Sequence, residues 1–269
     1  MSRIESRFRR LEEKRQAAFI PFIPAGDPDL ETTLAVLAGA EEAGADVIEL
    51  GFPFSDPIAD GPTIQDSYHR ALTAGVKSND VFRVAREARQ NSSVPIVAMV
   101  SYSIVYRLGV EAFLDRAEDC GMDGATIPDL PIEEAEPLLA PAGERDFRII
   151  CFATPATTGA RRALVARQAR GFIYYISVRG ITGERTDVPA DLCENIRQLK
   201  ALTPVPVAVG FGISRPEHAR AVAAVADGVI VGSAIVKRMR QAVEDGRDAA
   251  GAALDFIRSM SAAAKSASR

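Results

Sequence analysis

"VPVAVGFGISRPEHARAVAAVADGVIVGSA", residues 205–234, holds one complete structural unit. Its two ends, "VPVAVGFG" from Val205 and "GVIVGSA" from Gly228, are apolar on successive positions rather than alternate ones. Runs of that kind suit strands of a parallel sheet that is covered on both faces. Between them, Pro216 to Ala226 has a helical pattern. Strand, helix and strand in that order predict a right-handed crossover between parallel neighbours.

The same run recurs upstream: "FIPFIPA" from Phe19, "VIELGF" from Val47, "IVAMVS" from Ile96, "GATIPD" from Gly124, "RIICFAT" from Arg148 and "FIYYIS" from Phe172. Helical patterns fall between them, among others at Leu30–Gly44, Gly109–Cys120 and Ile132–Leu139. Eight such units in 269 residues predict an α/β chain folded as a single (β/α)8 (TIM) barrel. A doubly wound open sheet is the competitor, but it usually carries a GxGxxG or Walker-type loop after its first strand. The first strand here ends in "PAGDPD". No linker or shift in composition marks a second domain, so one domain is expected over 1–269. Its edges would be an N-terminal helix within 1–17, with Ile4, Phe8 and Leu11 on one face, and a frayed tail over 260–269.

The composition narrows the function. Lys and Arg total 32 against 36 acids, a formal charge of −4, which leaves no basic surplus for nucleic acid. No apolar run reaches the ~18 residues that span a bilayer, and "MSRIESRFRRLEEKRQ" has no secretory apolar core. A cytoplasmic protein is expected. Three cysteines without CxxC spacing and two histidines without HExxH argue against a disulfide scaffold and a metal site. His218, in "SRPEHAR", reads as a solvated helix residue behind a Ser214–Glu217 capping box.

One spacing is irregular. Val47 and Ile96 lie about twice as far apart as most neighbouring runs, and the interval opens on "ELGFPFSDPIADG", Glu49–Gly61. Helical stretches at Thr63–Thr73 and Asn79–Gln90 fill the remainder. An enlarged loop after strand 2 of a barrel belongs over the active-site face. Glu49 sits near the end of that strand and shares a face with Val47 and Gly51. Facing the barrel mouth, it would be desolvated, with a raised pKa suited to a general acid or base. The alternative is a buried Glu that serves only as a hydrogen-bond partner in a barrel layer. Asp56 and Asp60, taken by position alone, are turn residues that bond their own backbone.

The last two strands end in glycine, at "AVGFGIS" and "IVGSAI". Barrels frequently hold a phosphate on the loops after strands 7 and 8 with backbone N–H groups and a helix N-terminus. Gly212, Gly232 and Ser233 fit that role. Thr182 and Gly183, in "SVRGITGERTD", belong to a loop able to close over the same anion. Tight turns alone would explain a single such glycine; two sites on consecutive final strands favour the phosphate.

"IELGFPFSDPIADGPTIQ", Ile48–Gln65, resembles the signature of the tryptophan synthase alpha chain family. The likeness extends to "FIPAGDP" at Phe22–Pro28, "PDLPIEE" at Pro128–Glu134, "TGERT" after "YYIS", "VGFGIS" at Val209–Ser214 and "DGVIVGSAIV" at Asp227–Val236. The resemblance implies a lyase that cleaves indole-3-glycerol phosphate to indole and glyceraldehyde 3-phosphate by a retro-aldol step, without metal or organic cofactor. It implies Glu49 as the general acid/base and Asp60 as the carboxylate that stabilises positive charge on the indole nitrogen. Phe22, Tyr102, Tyr174 and Phe211 would line the indole pocket. Gly183, Gly212, Gly232 and Ser233 would hold the phosphate, with Thr182 helping the loop close. It further implies a pyridoxal-phosphate beta chain as partner in an alpha2-beta2 heterotetramer, with Asp56 facing it. The chain departs from the commoner pattern at "VSYSIVY", which lacks an Asn after Tyr102, and at Arg179. A stand-alone lyase, a weakly catalytic activating subunit and another phosphosugar barrel enzyme are the competing readings.

Overall fold

The computed structural model describes residues 2–177, 190–210 and 212–267. Eight parallel strands close into a barrel in sequence order: β1 Ala18–Pro24, β2 Ile48–Gly51, β3 Ile96–Met99, β4 Gly124–Thr126, β5 Arg148–Ala153, β6 Ile173–Ile176, β7 Val207–Gly210 and β8 Gly228–Val231. The ring closes where β8 pairs with β1, Ala18 opposite Gly228 and Ile20 opposite Ile230. Every predicted strand is present, because residues buried on both faces leave the continuous apolar runs seen in the sequence.

Alternation divides each strand between two cores. Phe19, Ile23, Ile48, Leu50, Ala98 and Val209 point outward into the layer shared with the helices. Ala18, Ile20, Val47, Val97, Ile150, Phe172, Ala208 and Ile230 form an inner cluster with Ile4, Phe8 and Leu11 of the first helix, Arg3–Glu13. That helix therefore closes the N-terminal end of the barrel, with the Phe8 and Phe172 rings 5.7 Å apart. Its start is set by a capping box: the Glu5 N–H donates to Ser2 Oγ at 3.2 Å and the Ser2 N–H to Glu5 Oε2 at 3.1 Å.

The same end of the barrel is tied by three aspartates, each placed just before an even-numbered strand. Asp46 accepts the Phe19 N–H, Asp123 the Ile96 N–H and Asp227 the Val207 N–H, each at 2.9 Å. Cations neutralise them: Lys265 at 3.1 Å from Asp46, Arg3 at 2.8 Å and Arg89 at 3.0 Å from Asp123, and Lys200 at 2.7 Å from Asp227. Buried carboxylates are tolerated when paired and hydrogen-bonded in this way.

Two local expectations are corrected. Residues 260–265 are not a frayed tail but the last turns of helix Ala249–Lys265, with Met260, Ser261, Ala263 and Ala264 buried. Ser261 Oγ and Lys265 Nζ both donate to the Gly44 carbonyl, at 2.7 and 2.8 Å, so this end of the chain is fastened to the barrel. His218 is not solvated: it is 1% exposed, and burial holds its pKa below the ordinary value. Its helix starts at Pro216 behind Arg215, whose Nε donates to His218 Nε2 at 3.2 Å, and no Ser214 cap forms.

Candidate active site

The long interval after β2 folds as anticipated, into a loop over residues 52–61 followed by helices Pro62–Thr73 and Ser78–Arg89. The loop returns across the C-terminal mouth of the barrel. There a cavity of about 550 Å³ is lined by Glu49 and Asp60 together, with Phe22, Met99, Phe152, Tyr174 and Ile230 as its apolar wall. Gly212, Gly232 and Ser233 line the same cavity, joined by Ser214 and Lys237, with Gly232 packed beside the Phe22 ring. An apolar slot, two carboxylates and a glycine-rich rim thus share one chamber.

Glu49 is 2% exposed, and Oε1 accepts from Thr126 Oγ1 at 2.6 Å. Oε2 is buried without a partner among the described residues. Burial pushes its pKa up to about 7, and the nearby Asp60 charge adds to the rise while the Thr126 hydroxyl opposes it. Asp60 is half-buried at the loop's end, and burial with the Asp129 charge lifts it to about 6. Its backbone is held by Pro57 and Gln65: the Asp60 N–H donates to the Pro57 carbonyl at 3.1 Å, and Gln65 Nε2 to the Asp60 carbonyl at 2.8 Å. Burial thus raises both carboxyls toward neutral pH, and more strongly the fully buried Glu49.

The aromatic wall depends on a missing side chain. A Cβ on Gly51 would come within 2.6 Å of both the Phe22 ring and the Tyr68 hydroxyl, so only glycine lets those rings reach the mouth. Tyr174 packs on Phe152 with centroids 5.0 Å apart. On the glycine-rich rim Gly212 has φ +76, a backbone conformation natural to glycine. Gly232 is the N-cap of helix Ser233–Glu244, which turns unpaired N–H groups and the positive end of the helix dipole toward the chamber.

The structure brings Phe22, Glu49, Asp60, Tyr174, Gly212, Gly232 and Ser233 together as expected. Tyr102 is a correction: it is absent from the cavity wall, begins helix Tyr102–Leu108 and packs on the outer core and Tyr106. Its N–H donates to Asp129 Oδ1 at 2.8 Å, and Ser101 Oγ donates to Oδ2 at 2.6 Å. Thr182, Gly183 and Phe211 lie outside the described residues. Asp56 is exposed and bonded by Ser55 Oγ at 2.6 Å, beside Ile58, whose side chain is 83% exposed. Sequence reasoning missed Met99, Thr126, Phe152 and Lys237. The first three were readable only as inward positions of β3, β4 and β5. Lys237 is one turn into the helix that follows Ser233.

A family model described as the tryptophan synthase alpha chain matches residues 8–265. A tryptophan synthase alpha chain from Rhodopirellula baltica is 48% identical over 247 residues, 91% of this chain and 89% of its own length. One from Phenylobacterium zucineum is 43% identical over 269 residues, 100% of this chain and 97% of its own. Among solved structures, tryptophan synthase subunit alpha from Legionella pneumophila str. Paris superposes with a TM-score of 0.91 at 34% identity, covering 98% of each chain. Mycobacterium tuberculosis tryptophan synthase gives 0.89 at 32%, again covering 98% of each. With the family model matching residues 8–265 and the barrel superposing on solved tryptophan synthase alpha chains, the chain belongs to the tryptophan synthase alpha chain family and is a lyase of that family's aldol-cleaving type.

Proposed function

We propose that Glu49 and Asp60 divide the cleavage of indole-3-glycerol phosphate between them, with the cavity at the barrel mouth as the substrate site. The observation that carries the assignment is geometric: a buried Glu49 whose Oε2 has no partner among the described residues lines one chamber with Asp60, and burial raises the pKa of both carboxyls. Protonated Glu49 gives its proton to the indole carbon that bears the glycerol chain. The ring becomes a cation centred on nitrogen, and ionised Asp60 lowers the barrier by stabilising that charge. Glu49, now a carboxylate, takes the proton of the hydroxyl beside the bond that breaks. The O–H pair becomes the new carbonyl bond of glyceraldehyde 3-phosphate. The carbon–carbon pair returns to the ring, which regains aromaticity as indole, and Glu49 ends protonated.

The apolar wall of Phe22, Met99, Phe152 and Tyr174 suits the indole. The phosphate is assigned to Gly212, Gly232 and Ser233, with Thr182 and Gly183 closing over it. Lys237 is the one cationic side chain among the described residues lining the chamber, and it would offset the phosphate charge. Glu49 moves the proton both ways and Asp60 supplies the stabilising charge, so the cycle as proposed calls on no metal or organic cofactor. A cytoplasmic site of action goes with this reading.

The pH dependence follows from these two raised pKa values. kcat/KM for indole release should be bell-shaped, with limbs near 6 and 7. Below the first limb Asp60 takes up a proton and no longer stabilises the cation; above the second Glu49 has no proton to give. Rates measured from pH 5 to 9 check it, and a profile still rising at pH 9 would rule out Glu49 as the acid.

Indole released here is proposed to pass to a beta chain carrying pyridoxal phosphate, in an alpha2-beta2 assembly. Support comes from the loop over 52–61, which carries both Asp60, lining the chamber, and the exposed Asp56 and Ile58. A partner seated on Asp56 and Ile58 would order the loop that presents Asp60. Adding saturating cognate beta chain should raise the steady-state rate on the order of tenfold. Equal rates with and without it would instead identify a stand-alone lyase.

A further inference from the structure

Resting on the assignment of Glu49 as the acid/base, we infer that Thr126 is a positioning residue: its hydroxyl occupies Glu49 Oε1 and thereby makes Oε2 the oxygen that carries and returns the catalytic proton. Thr126 is fully buried on β4, and Oγ1 lies 2.6 Å from Oε1. That is the length of a strong hydroxyl-to-carboxylate bond. The hydroxyl has one proton, and its other acceptor in reach is the Ala98 carbonyl at 3.4 Å, so the proton goes to Glu49. Oε2 has no partner among the described residues, and Glu49 lines the substrate cavity.

The consequence is chemical. An oxygen that accepts a hydrogen bond from a hydroxyl with no better acceptor becomes the carbonyl oxygen of the acid form, and the acidic proton resides on the other. Thr126 therefore places the proton on Oε2 when Glu49 is an acid, and leaves Oε2 open to receive one when it is a base. Its β-branched side chain holds the hydroxyl in place through both halves of the cycle. Burial raises the Glu49 pKa and Thr126 restrains the rise, which keeps the group in a range where it can do both jobs near neutral pH.

Sequence periodicity does not connect the two residues, which are 77 positions apart. In a (β/α)8 barrel, inward side chains from alternate strands share a layer. β2 and β4 are alternate strands, and closure brings Glu49 and Thr126 into contact.

The test compares Thr126→Val with wild type, Thr126→Ser and Glu49→Gln, by indole release across pH with the beta chain present. Valine keeps the shape and removes the donor. kcat is expected to fall about tenfold while KM stays within about twofold. The alkaline limb should move up by about one pH unit or more, because the ionised form loses its one hydrogen bond. Serine should restore both. Infrared difference titration of the free protein should show the Glu49 carboxyl losing its proton at correspondingly higher pH in the valine variant, a change that a purely structural role would not produce. Should valine fail to fold, Thr126→Ala supplies the same comparison. A valine or alanine variant with a wild-type alkaline limb and kcat, beside an inactive Glu49→Gln, overturns the inference and leaves the acid/base assignment standing. An active Glu49→Gln overturns the assignment itself.

Discussion

Glu49→Gln should release indole about 10³-fold or more slowly than wild type, whether or not the beta chain is bound. The amide matches the carboxyl in shape and can still accept from Thr126, so the pocket and the substrate's fit are preserved. What is lost is a proton transferable in both directions, and both bond-changing steps require it. The defect should appear in kcat rather than KM. Near-wild-type turnover would show that the acid lies elsewhere.

The same substitution should change stability in the opposite direction. The folded-state pKa of Glu49 is raised, from an ordinary 4.5 to about 7. Below pH 4.5 both folded and unfolded chains hold the proton, and the group contributes nothing. As pH rises from 4.5 to 7 the unfolded chain ionises and the folded one resists, so folding loses stability, and the whole penalty is in place above 7. A shift of that size corresponds to about 3 kcal/mol. Glu49→Gln should therefore melt at higher temperature than wild type at pH 8, with the gap closing toward pH 4.5. A gap independent of pH would contradict the buried, proton-retaining state assigned to this group.

Asp60→Asn should lower kcat by about 10²- to 10³-fold, the usual cost of removing one group aimed at charge that develops in the transition state. The described hydrogen bonds of Asp60 run through its backbone, to Pro57 and from Gln65, so the loop should keep its course. Asparagine still presents an oxygen to the indole N–H and leaves ground-state binding nearly intact. It lacks the negative charge needed once the ring becomes a cation. The acid limb of the pH profile should vanish with it, because that limb is Asp60 taking up its proton. A variant that kept the acid limb would show that a group other than Asp60 produces it.

The barrel was legible from one dimension because its strands are covered on both faces, and eight doubly apolar runs separated by helical patterns admit little else. Glu49 was legible as an anomaly, a charge in a strand with no exposed face, although position alone left it open between an acid and a hydrogen-bond partner. It proves to be hydrogen-bonded by Thr126 and to line the cavity as well. Asp60 was different. Its neighbours are turn formers, and only the resemblance to a known signature raised it above them, since the fold of a loop back over a barrel mouth leaves no periodic trace. Tyr102 does not join the cavity lining; it starts a helix whose first N–H is held by Asp129 in the loop after β4, a contact made across 27 positions. The supposed tail and His218 were misjudged because their burial is supplied by segments far away in the chain.

By itself, then, the sequence determined the strand order, a first helix with one apolar face, the enlarged loop and the glycine rim, all of which follow from local pattern and chain order. Tertiary structure decided which side chains meet inside the ring. Phe152, Met99 and Lys237 become cavity wall, and Thr126 becomes the partner of Glu49, only when the barrel brings inward side chains of separate strands and the helix after β8 around one mouth. Burial and the proximity of like charges then set both carboxyl pKa values, and neither is a property of any local stretch of residues.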